Sequence, residues 1–155
     1  MLAVLDSPTL VRSHYDAFNK RDIDKNLSLV TEDVKWTNVP FNVTHTGRNG
    51  VRDFLAGWTT AMPDCKVEVL NVFGGEDWSV GEFIGRGTHT GPLVGPQGTI
   101  PATQKKLELK FCEIFKMKNG QIAEARVYFD AATMLRQLGL LPETVAPSQP
   151  VPSTR

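Results

Sequence analysis

The chain has 155 residues and no formal net charge at pH 7, because 17 basic side chains balance 17 acidic ones. A chain of this length most often forms one domain, which buries about two-thirds of its unfolded surface. No block of like charge occurs, so the sequence argues against nucleic acid or an anionic membrane surface as a partner.

Cysteine use and the chain start bear on the compartment. Cys65 and Cys112 form no CxxC pair and predict two buried thiols in a reducing compartment, with a disulfide as the alternative. MLAVLDSP lacks the basic region and the apolar length of a signal peptide, and no window approaches 18 apolar residues. The sequence therefore predicts a cytoplasmic protein without a membrane span.

The N-terminal part predicts three helices and one strand. Ser7 has the pattern of an N-cap followed by proline, and Asp22 that of the cap of a second helix. In VKWTN, Trp36 and Asn38 share the inward face of a half-buried strand. A third helix is predicted to begin at about Gly47.

Beyond residue 63 the hydrophobic period changes to two, which indicates strands. The four predicted strands are KVEVLNVF, WSVGEFIGRGTH, KLELKFCEIFKM and QIAEARVYF. GPLVGPQGTIPATQ, between the second and third, predicts a long loop at the rim of a site. AATMLRQL predicts a last short helix stopped by Gly139. We therefore expect an α+β domain over residues 1–141, with helices on one face of a curved antiparallel sheet. Residues 142–155 are Pro-rich and predict an extended or disordered tail.

Asn119-Gly120 is a strong signal for a hairpin with a two-residue type I′ turn. The cross-strand pairs counted outward from this turn are Phe115 with Glu124, Glu113 with Arg126, Phe111 with Tyr128 and Leu109 with Asp130. Because direct partners share a face of the sheet, this register turns Glu113, Arg126, Tyr128 and Asp130 toward the apolar side.

These inward polar groups need partners or a wet cavity, since burying them bare costs several kcal/mol. Glu113 and Arg126 can form a cross-strand ion pair. Asp130 directly precedes a helix, so its carboxylate can only cap that helix, or it can act as an acid or base at a pocket mouth, with or without capping. Thr133 stands where a reciprocal capping box has Glu or Gln, so the sequence leaves both alternatives open.

From about Thr9 to Pro142, the order and spacing of several segments resemble the SnoaL-like polyketide cyclases of the nuclear-transport-factor-like superfamily. The segments are HYDAFNKRDID, LVTEDVKWTN, GRGTHTGPL, NGQIAEARVYFD and QLGLLP. The resemblance implies a cone in which a curved antiparallel sheet and helices enclose a deep apolar pocket. The implied activity is a cofactor-free aldol ring closure, of lyase or isomerase type, on a small apolar carbonyl compound or polyketide-like ligand.

The resemblance places the acid/base of this reaction at Asp130. Such a base needs a pKa lifted toward neutrality, which desolvation against apolar walls provides. Asn38 and His89 are the catalytic candidates for stabilising the developing enolate oxygen, with Tyr15 and Tyr128 as further donors. The side chains expected to bind substrate are Tyr15, Trp36, Trp58, Leu109, Phe111, Glu113, Arg126 and Tyr128. Tyr15 and Trp36 can equally be packing residues.

Several alternatives remain beside the enzyme. The three histidines lack ligand spacing, so no metal site is expected. WTNVP also resembles limonene epoxide hydrolase of the same superfamily, but Trp36 replaces its tyrosine and its Arg-x-Asp pair is missing. Epoxide hydrolysis is therefore a weak alternative to the cyclase. The stronger alternatives are a non-catalytic small-molecule-binding module and a structural dimer module. Members of the family often pair through the outer sheet face, where Cys112 and Ile114 are expected, so we expect a homodimer.

Overall fold

Helices and strands follow one another in the predicted order in a computed structural model, which describes residues 5–141. The helices are α1 (Ser7–Asn19), α2 (Ile23–Ser28), α3 (Gly47–Ala61) and α4 (Ala131–Gln137). The strands are β1 (Val30–Asn38), β2 (Val43–Thr46), β3 (Lys66–Gly74), β4 (Trp78–Thr88), β5 (Leu93–Gly95), β6 (Gly98–Ile100), β7 (Lys106–Lys118) and β8 (Gln121–Phe129). The predicted tail, residues 142–155, lies outside the described residues.

Two helix starts follow from short polar side chains. Asp6 caps α1, since its carboxylate accepts a hydrogen bond from the Thr9 N–H at 2.9 Å. The prediction of Ser7 as the cap is wrong by one residue. The Ser7 Oγ instead donates a hydrogen bond to the Gly75 carbonyl at 2.5 Å. The Asp22 cap of α2 is confirmed, with the Lys25 N–H 3.0 Å from its carboxylate.

Six strands form one mixed sheet in the order β2-β1-β8-β7-β4-β3. All neighbouring strands are antiparallel except β1 and β8, which run parallel. The α+β class and the curved, largely antiparallel sheet are confirmed. β2 was not predicted, because VTHT is short and only half-buried. The segment predicted as a loop carries the small β5–β6 hairpin.

The β7–β8 hairpin has the predicted turn. Asn119 and Gly120 have φ angles of +52° and +74°, as a type I′ turn requires, and Lys118 pairs with Gln121. The register then shifts by one residue at a β-bulge, where Ala123 is the extra residue of β8.

The predicted register is wrong beyond this bulge, because one extra residue moves every later side chain of β8 to the opposite face. Arg126 lies opposite Ile114 on the outer face, and Glu113 lies opposite Val127 on the inner face. The predicted Glu113–Arg126 ion pair therefore does not form. Tyr128 also points outward, with 39% of its surface exposed.

The core lies between the inner sheet face and the helices. α1 packs against β3 and β4, and α3 packs against β1. Fully buried side chains at the centre include Val11, Trp36, Phe115 and Ile122. Cys65 is buried and Cys112 half-buried, and both are free thiols. The helices and the curved sheet thus surround an interior rich in aromatic side chains.

Candidate active site

A cavity of about 60 Å³ lies between the first and third helices and the inner face of the sheet. Its aromatic lining comprises Tyr15, Phe18, Phe54, Trp58, Phe83 and Phe111. His14 and Glu113 contribute polar atoms, and the exposed side chains of Lys66 and Arg86 mark where the cavity meets the surface. This is an apolar chamber with few polar groups, the usual composition of a small-molecule site.

Glu113 is the acidic side chain of this chamber. Its residue in β7 is flanked by Gly81 of β4 and Val127 of β8, neither of which carries a charge. Only 4% of Glu113 is exposed, and its Oε2 accepts a hydrogen bond from the Tyr15 hydroxyl at 3.3 Å. Among residues 5–141, no second hydrogen-bond partner reaches this carboxyl group.

The environment of Glu113 changes its ionisation. Burial raises the pKa of its carboxyl group from 4.5 to about 8, although the Tyr15 hydrogen bond acts in the opposite direction. Burial and the neighbouring Glu113 also raise the pKa of Tyr15 well above its ordinary value. At neutral pH the pair is therefore a mostly protonated acid beside a neutral phenol.

Gly81 makes room for this pair. A Cβ atom at Gly81 would lie 2.1 Å from the Tyr15 hydroxyl oxygen, far inside van der Waals contact. The Tyr15 ring packs edge-on against Phe83, with 5.1 Å between ring centroids. The glycine in β4 and the aromatic wall together fix where the phenol meets the carboxyl group.

His14 lines the same cavity from α1 and is only 3% exposed. Its Nδ1 lies 2.9 Å from the amide nitrogen of Asn26, which also donates to the His14 carbonyl at 2.9 Å. The ring packs against Trp36 with 5.0 Å between centroids. Burial lowers the pKa of His14 to about 4, so the imidazole is neutral at pH 7.

Asp130 lies apart from the cavity and caps α4. Its Oδ1 accepts hydrogen bonds from the N–H groups of Ala132 at 3.0 Å and Thr133 at 3.2 Å, and its Oδ2 accepts from the Thr133 hydroxyl at 2.7 Å. The Thr133 hydroxyl and N–H hold the pKa of this exposed carboxyl below its ordinary value. The expectation of a desolvated acid at the pocket mouth is wrong, and the capping alternative is the one observed.

Asn38 and His89 do not line the cavity either. Asn38 is buried, and its Oδ1 accepts from the Phe41 N–H at 3.4 Å, which supports the turn after β1. His89 is fully buried, and its Nδ1 accepts from the Thr103 N–H at 3.3 Å. Burial lowers the pKa of His89. The geometry thus gives both side chains partners in loop backbone.

The predicted substrate-binding residues divide into three groups. Tyr15, Trp58, Phe111 and Glu113 line the cavity. Trp36 and Leu109 are buried in the core beside it. Arg126 and Tyr128 lie on the outer face because of the bulge.

His14, Gly81 and Phe83 were missed as site residues. The sequence held a signal for Glu113, which was predicted as a substrate-binding residue, and one for His14, which was not. Glu113 is the sole charged residue of an otherwise apolar inward face of β7, and His14 recurs at helical spacing among the apolar residues of α1.

Residues 5–141 contain no cluster of three or more His, Cys, Asp or Glu side chains arranged to hold a metal ion. Within the same residues, no helix is both long and apolar enough to cross a bilayer.

The curved sheet, its covering helices and the apolar cavity define a pocket-forming α+β domain of the nuclear-transport-factor-like class. The family model of the SnoaL-like polyketide cyclases matches residues 9–138. The chain belongs to this family, as its sequence segments indicated. Comparison with curated protein sequences gives no significant match.

Solved structures share the fold at low sequence identity. A protein from Jannaschia sp. CCS1 assigned to the SnoaL-like polyketide cyclases is 18% identical, with a TM-score of 0.77 over 92% of this chain and 99% of that one. TsrD from Streptomyces laurentii is 22% identical, with a TM-score of 0.75 over 88% and 99%. A ketosteroid isomerase-like protein from Catenulispora acidiphila DSM 44928, solved with trimethylamine, is 16% identical, with a TM-score of 0.71 over 86% and 95%. At these identities the likeness concerns the fold.

Proposed function

We propose that this protein is a cofactor-free acid/base enzyme of the polyketide-cyclase type, in which Glu113 moves a proton next to the carbonyl group of a small apolar compound. One observation carries the proposal. Glu113 is a carboxyl group buried in an apolar cavity, with a single hydrogen bond from Tyr15 and a pKa raised to about 8. This assigns to Glu113 the role that the sequence resemblance implied for Asp130.

The chemistry follows from the ionisation of the pair. A base that removes a proton beside a carbonyl group works best when its pKa lies near the operating pH. Ionised Glu113 takes the proton from the α-carbon, and the C–H electron pair forms an enolate. The enolate carbon then attacks a second carbonyl of the same molecule and forms the ring. The resulting alkoxide takes the proton back from Glu113, so the enzyme ends unchanged.

The size of the cavity supports a small substrate. A volume of about 60 Å³ is well below the ~300–1,000 Å³ of pockets that hold drug-sized ligands. A short dicarbonyl compound that closes to a single ring suits this chamber better than a fused polycyclic one. Aromatic side chains on several walls favour a largely apolar compound.

Exchange of α-protons tests the proposed step without knowledge of the natural substrate. Cyclohexanone in D₂O would be followed by NMR with wild-type protein, Glu113→Gln and Glu124→Gln. General-base catalysis is worth about 10²–10⁴-fold, so we expect Glu113→Gln to lose catalysed exchange by at least about 10²-fold. Glu124→Gln, on the outer sheet face, should exchange at the wild-type rate because it lies away from the cavity.

Asp130→Asn separates the two candidate acids in the same assay. If Glu113 is the base, Asp130→Asn exchanges at close to the wild-type rate. Loss of exchange in Asp130→Asn together with full exchange in Glu113→Gln would return the role to Asp130 and contradict the proposal.

A second candidate function is a non-catalytic module that binds small carbonyl compounds. The helix cap at Asp130 favours it, since this position matches the acid/base of the family and here has hydrogen bonds that keep it ionised. Binding of cyclohexanone by wild-type protein without any catalysed α-proton exchange would favour the binding module.

We also propose that the outer sheet face forms a homodimer. Trp78 and Tyr128 expose 43% and 39% of their surfaces there, beside half-buried Cys112 and Ile114. Aromatic side chains of this kind are typical anchors of protein interfaces. Light scattering should give a dimeric mass for wild-type protein and a monomeric one for Trp78→Asp. A monomeric mass for wild-type protein would contradict this proposal.

A further inference from the structure

Asn26 makes contacts that fix the orientation of its own side-chain amide. The amide nitrogen lies 2.9 Å from the backbone carbonyl oxygen of His14, which can only accept a hydrogen bond. The atom at that position must therefore be the NH₂ group and not the amide oxygen. Asn26 is 1% exposed, so solvent does not compete for this hydrogen bond.

The same NH₂ group determines where the His14 ring carries its proton. It lies 2.9 Å from Nδ1 of His14, and a donor there requires Nδ1 to accept. A neutral imidazole whose Nδ1 accepts carries its proton on Nε2. Within the described part of the chain, no side chain or backbone acceptor is hydrogen-bonded to Nε2. The ring belongs to the lining of the cavity.

We propose that His14 is a fixed, neutral hydrogen-bond donor to the carbonyl oxygen of a ligand in the cavity, and that Asn26 is the positioning residue that keeps the ring proton on Nε2. The ligand class is a compound with a neutral carbonyl acceptor on an apolar body. In the proposed reaction this donor serves the enolate oxygen while Glu113 handles the proton on carbon, so that catalytic part rests on the proposed function. The binding part stands on the Asn26 contacts and on the place of the His14 ring in the cavity lining.

The surroundings of His14 agree with a neutral ring. The rings packed on it are Tyr15, Trp36 and Phe115. Glu113 is the acidic group facing the same cavity, and it is mostly protonated at neutral pH. Lys66 and Arg86 are the cationic groups of the lining and lie at its exposed end. A neutral donor suits this setting because it stabilises developing negative charge without burying a cation.

The tautomer can be observed directly in the ¹⁵N-labelled full-length protein. Long-range ¹H–¹⁵N correlation at pH 7 should give a protonated Nε2 and an unprotonated Nδ1 for His14. His89 offers an internal reference, because its Nδ1 accepts the Thr103 N–H and therefore predicts the same pattern. A proton on Nδ1 of His14, or an imidazolium at pH 7, would overturn the proposal.

Binding tests the donor with a matched pair of probes. Cyclohexanone and methylenecyclohexane have similar shapes, but only the ketone accepts a strong hydrogen bond. Relative to wild-type protein, His14→Phe should lower the ratio of ketone affinity to methylenecyclohexane affinity about tenfold, the equivalent of one hydrogen bond. His14→Gln, whose side-chain NH₂ can replace Nε2–H, should recover part of it. An equal preference in wild-type protein and His14→Phe would refute the donor role.

Asn26→Leu removes the amide donor while keeping a side chain of similar size. In this variant, the Nε2–H tautomer of His14 should be less strongly favoured, and the ratio of ketone affinity to methylenecyclohexane affinity should fall. If the variant does not fold, the wild-type tautomer and the His14 pair still decide the question. Absence of α-proton exchange in wild-type protein would refute the proposed enzyme while leaving the tautomer and binding results valid.

Discussion

The buried carboxyl group of Glu113 should make the protein less stable as the pH rises from 6.5 to 8. Its pKa is 4.5 in ordinary surroundings and about 8 in the folded protein. Between these values the folded protein holds a proton that the unfolded chain has released. The stabilisation is therefore complete below pH 4.5 and is lost as the pH rises through 8.

Other groups act in different pH windows. His14, with a pKa lowered from 6.5 to about 4, makes stability rise with pH between those values. His45 and His89 also have lowered pKa values and act in the same direction, until the histidines of the unfolded chain have lost their protons above their ordinary pKa of 6.5. The raised pKa values of the two thiols lower stability only above pH 9.0. Above pH 6.5 the histidine contributions oppose that of Glu113 and fade as the pH rises, so Glu113 dominates toward pH 8.

The size of the effect follows from proton linkage. When the folded protein binds one proton more than the unfolded chain, the free energy of unfolding falls by about 1.4 kcal/mol for each pH unit. Allowing for half-ionisation at pH 8, the free energy of unfolding should fall by roughly 1.5 kcal/mol between pH 6.5 and 8 because of Glu113. Glu113→Gln cannot titrate, so this variant should show no such fall.

Urea unfolding followed by tryptophan fluorescence measures the difference. Wild-type protein, Glu113→Gln and Glu124→Gln would be unfolded at half-unit steps from pH 6.5 to 8, and the free energies compared at constant m-value. Subtracting Glu113→Gln from wild type removes the histidine contributions common to both. Equal pH dependence in wild type and Glu113→Gln would mean that Glu113 is already ionised at pH 6.5, which would refute the argument for a raised pKa.

Three further substitutions test the packing and the caps. Gly81→Ala should displace the Tyr15 hydroxyl, because the new Cβ atom would lie 2.1 Å from it. Catalysed α-proton exchange should then fall severalfold or more. A crystal structure of this variant with the Tyr15–Glu113 contact unchanged would contradict the prediction. Tyr15→Phe should raise the Glu113 pKa further, because the hydrogen bond from the Tyr15 hydroxyl stabilises the ionised carboxylate and this variant lacks it. A carboxyl ¹³C titration would measure the Glu113 pKa. Asp130→Ala should lower the urea midpoint of unfolding through loss of the cap, with α-proton exchange retained.

Much of the fold could be predicted from local signals in the chain. The two-residue period marked β3, β4, β7 and β8, and Asn119-Gly120 fixed their last turn. Such features depend on interactions between residues that are close in the sequence, so the sequence alone predicts them. The short strand β2 and the β5–β6 hairpin lack a clear alternation and were missed.

The site could be predicted only in part, because it depends on long-range geometry. The sequence did single out Tyr15, Trp58, Phe111 and Glu113, which line the cavity. It did not bring His14 to the same chamber or identify Gly81 as the space beside Tyr15, since both depend on how α1 lies across β4. The family resemblance implied an acid/base role for Asp130, although its position before a helix is also typical of a helix cap.

The bulge at Ala123 decides the electrostatics of the pocket. Without it, the hairpin register would place Arg126 across from Glu113, and a cation beside the carboxylate would hold the Glu113 pKa down. With it, Val127 lies in that place and Arg126 lies outside, 5.6 Å from the centre of the Trp78 ring. Glu113 is then an acid without a cationic neighbour on either flanking strand. One extra residue thus converts an expected ion pair into an isolated buried acid, the feature from which the proposed chemistry follows.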